Sequence, residues 1–259
     1  MLARLAKRFP AVGDDAAVLP GGLLASTDTL VENVDWRAEW SSAADVGWKA
    51  IMVNASDIAA MGGRSQWFLV SLVSGGGFDI ENFFDGVAEA AAAAGGEVVG
   101  GDLSGGPTTV VTVSVLGHAD GAPILRSGAR VGDGVYVSGA LGAAARDLRD
   151  GGGPAHRRPV AYLGPPPKGA SALIDVSDGL VTDCARVAAA SGLQLALDEV
   201  PIAPAATLDD ALHGGEDFVL VACAPTPVDG WTRIGVCVDG SGVTFGGEVI
   251  EGRGWEHEL

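Results

Sequence analysis

Hydrophobic positions in this chain form two kinds of run. There are short β-rich stretches closed by Gly, Pro or Asp, and longer Ala-rich stretches with a capping residue in front. The Val/Thr run Thr108–His118 carries the strongest strand signal. Further strands are predicted at Ala16–Leu19, Leu23–Glu32, Gln66–Ser74 and Glu97–Gly100. Ser41 or Ser42 offers the N-cap of a long helix through Met61, stopped by Gly62-Gly63. Asp79 caps a second helix that runs to Ala94 and ends at Gly95-Gly96. Beyond residue 130, strands at Gly134–Ser138, Ala172–Val176, Leu193–Val200 and Phe218–Ala222 are interleaved with helices after Gly142, over Leu180–Ala190 and around Leu208–Leu212. Short strands follow between Trp231 and Ile250. Leu2–Phe9 reads as a turn or two of amphipathic helix, and Asp150–Gly169, with its triple glycine and triple proline, as a loop or linker. The alternation is irregular and the long Thr108 strand suits antiparallel pairing. The expected fold is therefore α+β in two domains, residues 1–130 and 131–259.

Composition narrows the function classes. With 259 residues, 47% hydrophobic and 19% charged, the chain can bury a sizeable core. A net charge of -17 excludes nucleic acid and anionic membrane as partners. Cys184, Cys223 and Cys237 lie in apolar stretches without paired spacing, as in reduced core positions of a cytoplasmic protein. No apolar run approaches the roughly 18 residues of a membrane span.

The same negative field should repel nucleotides unless part of the acid holds divalent cations. Five segments place Asp beside Gly, Ser or Thr: Gly13-Asp14-Asp15, Ser26-Thr27-Asp28, Asn54-Ala55-Ser56-Asp57, Gly100-Gly101-Asp102 and Asp175-Val176-Ser177-Asp178-Gly179. Each is flanked by apolar sequence, which anchors its carboxylate near a buried layer, where unpaired charge is costly. Magnesium would relieve that cost, since it takes carboxylate, hydroxyl and water oxygens and bridges to phosphate. No GxxxxGK[ST] loop or GxGxxG is present, so a metal-mediated phosphate site is the remaining device. Asp57 lies on a helix that is apolar nearly all round and is expected to be buried against partners. Arg126, one of few cations, reads either as a surface residue or as a phosphate fork. Gly214-Gly215-Glu216-Asp217 reads as a turn or a further acidic cluster. The histidines have no ligand spacing, and no role is expected of them.

In this order the stretches GDDAAVL (13–19), STDTLVE (26–32), GWKAIMVNASDIAAMGG (47–63), GGD (100–102), RSGARVGD (126–133), DVSDGL (175–180) and GGEDF (214–218) resemble the thiamine-monophosphate kinases, within the aminoimidazole-ribonucleotide-synthetase-like superfamily. The resemblance implies a two-domain fold with a homodimeric N-terminal half built on a mixed or antiparallel sheet. It also implies direct transfer of the terminal phosphoryl group of ATP to thiamine phosphate. By position it makes Asp15, Ser26, Thr27, Asp28, Asp57, Asp102, Asp175 and Asp178 magnesium ligands, with Asp57, Asp102 and Asp178 catalytic. Gly101, Asp102, Arg126 and Ser177 match nucleotide-contacting positions, and Glu216 and Trp255 substrate-contacting ones. Two departures stand out. Asp35 occupies a substrate-contacting position where the family usually carries histidine, which suits a cationic part of the acceptor, and Asp147–Ser171 is shorter than the family's segment. An ATP-dependent synthetase of the same superfamily, activating another oxygen, is the alternative, and a metal-nucleotide binding module without turnover is a third.

Overall fold

The computed structural model of the protein describes residues 8–9, 12–119 and 121–255; most of the expected Leu2–Phe9 helix lies outside them. Five strands form the first sheet: β1 (Ala17–Val18), β2 (Leu23–Val31), β3 (Gly63–Ser74), β4 (Glu97–Gly105) and β5 (Val110–Ala119). Their order is β1-β2-β5-β3-β4, antiparallel except for the parallel β3–β4 pair. Alternation gives this sheet two unlike faces. Leu24, Leu30, Val111, Val113 and Val115 are buried on one, while Thr29 and Thr112 join hydroxyls at 2.9 Å on the other, exposed face.

Helices α1 (Ala43–Ala60) and α2 (Ile80–Ala94) cover the buried face. The N-terminus of α1 is closed by a capping box, Ser42 with Asp45. Asp79 caps α2 and Gly95 ends it in the left-handed conformation. The two helices meet backbone to backbone. A Cβ on Gly47 would stand 2.2 Å from the Phe83 carbonyl oxygen, and one on Gly86 would stand 2.0 Å from that of Ala44.

The second sheet holds β6 (Gly134–Val137), β7 (Ala172–Asp175), β8 (Gln194–Leu197), β9 (Leu220–Ala224), β10 (Thr232–Val238), β11 (Gly242–Phe245) and β12 (Glu248–Ile250), in the order β12-β11-β8-β10-β6-β9-β7. Around it lie α3 (Ala143–Arg149), α4 (Pro154–Arg157), α5 (Leu180–Ser191) and α6 (Leu208–His213). The change of sheet falls between Ala119 and Gly134. Each sheet has its own apolar core. A third, smaller cluster joins Ala59 and Ala60 of α1 to Leu173, Leu220 and Ala222 of the second sheet.

Two expectations need correction. Strand β4 does not stop at Gly100 but runs through Gly101 and Asp102 to Gly105, because β3 supplies a full ladder of parallel partners. The stretch after Asp150 is not wholly irregular, since Pro154 starts the short helix α4.

Replacing Gly86 with alanine forces a methyl group into the α1–α2 contact. We expect a loss of about 1–3 kcal/mol in folding stability, as for other overpacked cores, read as a lower urea midpoint with an unchanged slope. An unchanged midpoint would show that the helices separate freely.

Candidate active site at the domain junction

Helix α1 is buried on several sides at once, so its polar residues must find partners in the elements it touches. Three of them do so near its C-terminal end. Asn54, fully buried, accepts the backbone N–H of Asp28 at 3.1 Å and donates to the Ala50 carbonyl at 2.8 Å. Ser56, also fully buried, donates to an oxygen of Asp175 at 2.6 Å across the domain junction. Asp57 accepts the Ser26 hydroxyl at 2.5 Å. The run Asn54-Ala55-Ser56-Asp57 thus ties β2 to the end of β7.

These ties bring Asp15, Asp57 and Asp175 together, with one ligand oxygen from each lying within 4.8 Å of the others. Burial raises the carboxyl of Asp57 well above its ordinary value, and the charges of Asp28 and Asp175 add to the shift. Asp175 is likewise raised well above its ordinary value, first by burial and then by Asp15. Burial also raises Asp15, although Arg126 works against it. Arg126 grips Asp15 with two nitrogens, Nη2 at 2.6 Å and Nε at 3.2 Å, and its backbone N–H binds Asp14 at 2.7 Å. One guanidinium against three carboxylates leaves negative charge in excess. The donors are all hard oxygens, and hydroxyls stand beside two of them, so the group fits a magnesium ion.

The other residues singled out from sequence are distributed around this group. Asp28 is exposed at the rim and adds its charge to Asp57. Asp178 pairs with Arg186, and the backbone N–H groups of Ser177, Asp178 and Gly179 all point at Asp183. Asp183 is fully buried and shapes this loop, a role sequence reading missed. Thr27 faces the opposite side of the sheet, where it donates to the Val113 carbonyl and accepts from Ser114. Asp102 lies on exposed β4 beside Gly101 and accepts the Ser104 hydroxyl at 3.0 Å. The register Thr29, Thr112, Ser71, Asp102 puts three inter-strand steps, roughly 14 Å, between β2 and Asp102. One protomer therefore does not bring Thr27 or Asp102 to the carboxylate group.

A second cluster lies on the same helix. The Nζ of Lys49, whose side chain is 2% exposed, pairs with Glu216 Oε1 at 2.5 Å and donates to the Asp35 carbonyl at 3.0 Å. The other Glu216 oxygen meets His156 Nδ1 at 2.6 Å. Burial alone would raise Glu216, but the Lys49 charge and the His156 bond outweigh it and hold the carboxyl below its ordinary value. His156, for which the sequence offered no partner, therefore finds one in Glu216. Asp35 turns its carboxylate back onto the Val31 N–H at 2.8 Å. Sequence reading missed Lys49, although its place two helical turns before Asp57 on the same all-round apolar helix was a signal that could have found it; His156 sits in a stretch without periodic signal. Glu216 lines a cavity of about 350 Å³ whose walls include Ala143, Ala144, Pro154, Pro159 and Val160. Exposed Trp255 follows Gly254, whose N–H binds the Thr182 hydroxyl at 3.3 Å near the Asp178 loop.

The AIR synthase related protein, N-terminal domain, is the family model that matches, over residues 13–119. The thiamine-monophosphate kinase of Mycobacterium tuberculosis (strain CDC 1551 / Oshkosh) is 39% identical over 94% of this chain and 84% of its own. That of Aquifex aeolicus (strain VF5) is 34% identical over 95% of this chain and 92% of its own. Among solved structures, AaThiL complexed with AMPPCP and TMP superposes with a TM-score of 0.90 at 32% identity, covering 99% of this chain and 96% of that one. Identity at this level along nearly the whole length, with the fold shared throughout, means that this chain belongs to the thiamine-monophosphate kinase family.

Proposed function

We propose that this protein transfers the terminal phosphoryl group of ATP to thiamine phosphate, giving thiamine diphosphate and ADP. The observation that carries the reading is the convergence of Asp15, Asp57 and Asp175 at the domain junction in a chain of this family. In the transfer, a bond forms between the acceptor's phosphate oxygen and the γ-phosphorus, and the bond from that phosphorus to the ADP oxygen breaks. The acceptor phosphate is already ionised at neutral pH, so no strong general base is required, and among the described residues no histidine pairs with Asp15, Asp57 or Asp175. The transition state is loose, which leaves positioning and charge neutralisation as the enzyme's main tasks.

Asp15, Asp57 and Asp175 would hold magnesium, with Asp28 and Asp178 at the rim. Bound there, it would supply positive charge to offset the negative charge of the triphosphate. Asp15 keeps the Arg126 guanidinium at the edge of the site, available to phosphate oxygens. Gly101 and Ser177 complete the nucleotide-contacting set we infer. For the acceptor we infer Glu216, Trp255 and Asp35, an anionic and aromatic set suited to a cationic ring.

We further infer a homodimer and a cytoplasmic location. The outer face and edge of the first sheet expose Trp67, Leu69, Val98, Val99 and Leu103. Thr27 and Asp102 share this side, and a second copy seated on it gives them a place in a site that one protomer cannot complete. Three free, buried cysteines suit a reducing compartment. Among the described residues no helix is long and apolar enough to cross a membrane.

Incubation with Mg-ATP and thiamine phosphate should yield thiamine diphosphate and ADP in equal amounts; ADP formed without thiamine diphosphate would remove this acceptor. The Asp57→Asn variant keeps an acceptor for Ser26, and its turnover should fall by about a hundredfold or more. The same variant should be more stable than its parent when metal is absent. Because the folded-state carboxyls titrate above the ordinary value of about 3.9, the folded protein retains protons that the unfolded chain has lost. Stability of the metal-free parent therefore declines as pH rises from about 4 through the raised values. The stability difference between variant and parent should widen over that range; melting curves without magnesium measure it, and a constant difference would contradict the buried charge. Placing aspartate at both Trp67 and Leu69 should halve the mass found by light scattering, whereas an unchanged mass would move the dimer interface elsewhere.

A further inference from the structure

The Lys49, Glu216 and His156 cluster joins both domains, yet only its Glu216 has a part in the reading above. Lys49 comes from α1 under the first sheet, His156 from α4 beside the second, and Glu216 from the segment between α6 and β9. The Lys49 and His156 side chains are 2% and 6% exposed, so neither can touch a ligand directly. Glu216 is different: its side chain is 29% exposed and forms part of the 350 Å³ cavity wall.

The backbone at Glu216 has φ of 64°, a left-handed conformation that is uncommon for a residue with a side chain and is held only by its surroundings. Its N–H donates to the Ser177 carbonyl at 2.8 Å, which ties it to the Asp175–Gly179 segment. A carboxylate can only accept, so His156 carries its hydrogen on Nδ1. The two carboxylate oxygens are thus each met by a buried donor, one from each domain. Asp217, next in the chain, is occupied with the N–H groups of Gly142 and Ala144 at the start of α3. Asp217 and Arg158 also line the cavity, but Asp217 is taken up by these N–H groups and Arg158 pairs with Asp45 and Glu89, so Glu216 is the cavity carboxylate held by side-chain donors.

We propose that Lys49 and His156 are positioning residues that set the choice of phosphoryl acceptor by acting through Glu216. They fix its carboxylate as a stationary anionic contact for a cationic heteroaromatic ring lodged in the cavity. Because one clamp arm belongs to each domain, the contact exists in full only when the domains are docked. The inference rests on the reading that thiamine phosphate is the acceptor, and it adds the two residues that reading lacks.

Calorimetric titration of the full chain with thiamine phosphate, in the presence of magnesium and AMPPCP, tests it without requiring turnover. His156→Phe and Lys49→Met should each weaken thiamine phosphate by about tenfold, as when one partner of a buried charged hydrogen bond is removed. Affinity for AMPPCP should stay within about twofold, as for an independent site, and Lys49→Arg should recover most of the loss. In the Glu216→Gln background, His156→Phe should cost nothing more, because its effect runs through that carboxylate. An undiminished penalty in that background, or equal weakening of AMPPCP and thiamine phosphate, would overturn the proposal. Should Lys49→Met fail to fold, the His156 cycle decides alone. A parent protein that does not bind thiamine phosphate removes the acceptor reading and this inference with it; a parent that binds it while the variants match the parent removes the inference alone.

Discussion

Three carboxylates, two buried and one half-buried, with oxygens within 4.8 Å of one another and one guanidinium to offset them, form an arrangement a folding chain would normally avoid. Burial and mutual repulsion both disfavour the charged forms, and either effect alone can cost more than a surface ion pair returns. The chain keeps Asp15, Asp57 and Asp175 together because α1 is locked on all sides. Its capping box fixes where the helix begins, the Gly47 and Gly86 contact fixes how closely α2 lies on it, and its polar residues are spent on β2 and β7. Packing in the apolar core thus holds the acids where their own interactions would drive them apart.

Two stretches of α1 hold two separate polar clusters. The C-terminal turns carry Asn54, Ser56 and Asp57 to the carboxylate group, while Lys49, two turns earlier, reaches Glu216. A single rigid helix therefore sets the spacing between the three carboxylates and the Lys49, Glu216 and His156 cluster. This is positioning by a regular element, which is more exact than positioning by loops because a helix has no soft internal torsion to relax.

Much of this was legible from residue order. Caps are local chemistry, so the pair Ser41 and Ser42, of which Ser42 is the cap, together with Asp79 and Gly95 marked helix ends, and the all-round apolar character of the helix through Met61 announced a buried element on which Asp57 needed partners. What escaped was set by distant pairing. Gly100-Gly101 reads as the end of a strand, yet β3 supplies partners as far as Gly105 and draws the edge strand past it. Thr27 sits beside Ser26 in sequence, but a strand turns neighbours to opposite faces, so only Ser26 reaches Asp57. His156 and Asp183 had no periodic or motif signal; each gains meaning only from the residue it meets across the fold.

The small apolar contact of Ala59 and Ala60 with Leu173, Leu220 and Ala222 has a bearing on how such chains can be recombined. Strand count would suggest cutting between Ala119 and Gly134 and grafting on the C-terminal half of a relative. Such a hybrid would need a methyl-sized match at this contact and a carboxylate placed to receive Ser56. Gene-fusion breakpoints in this fold are therefore governed less by the connecting segment than by a helix belonging to one half and docked upon the other.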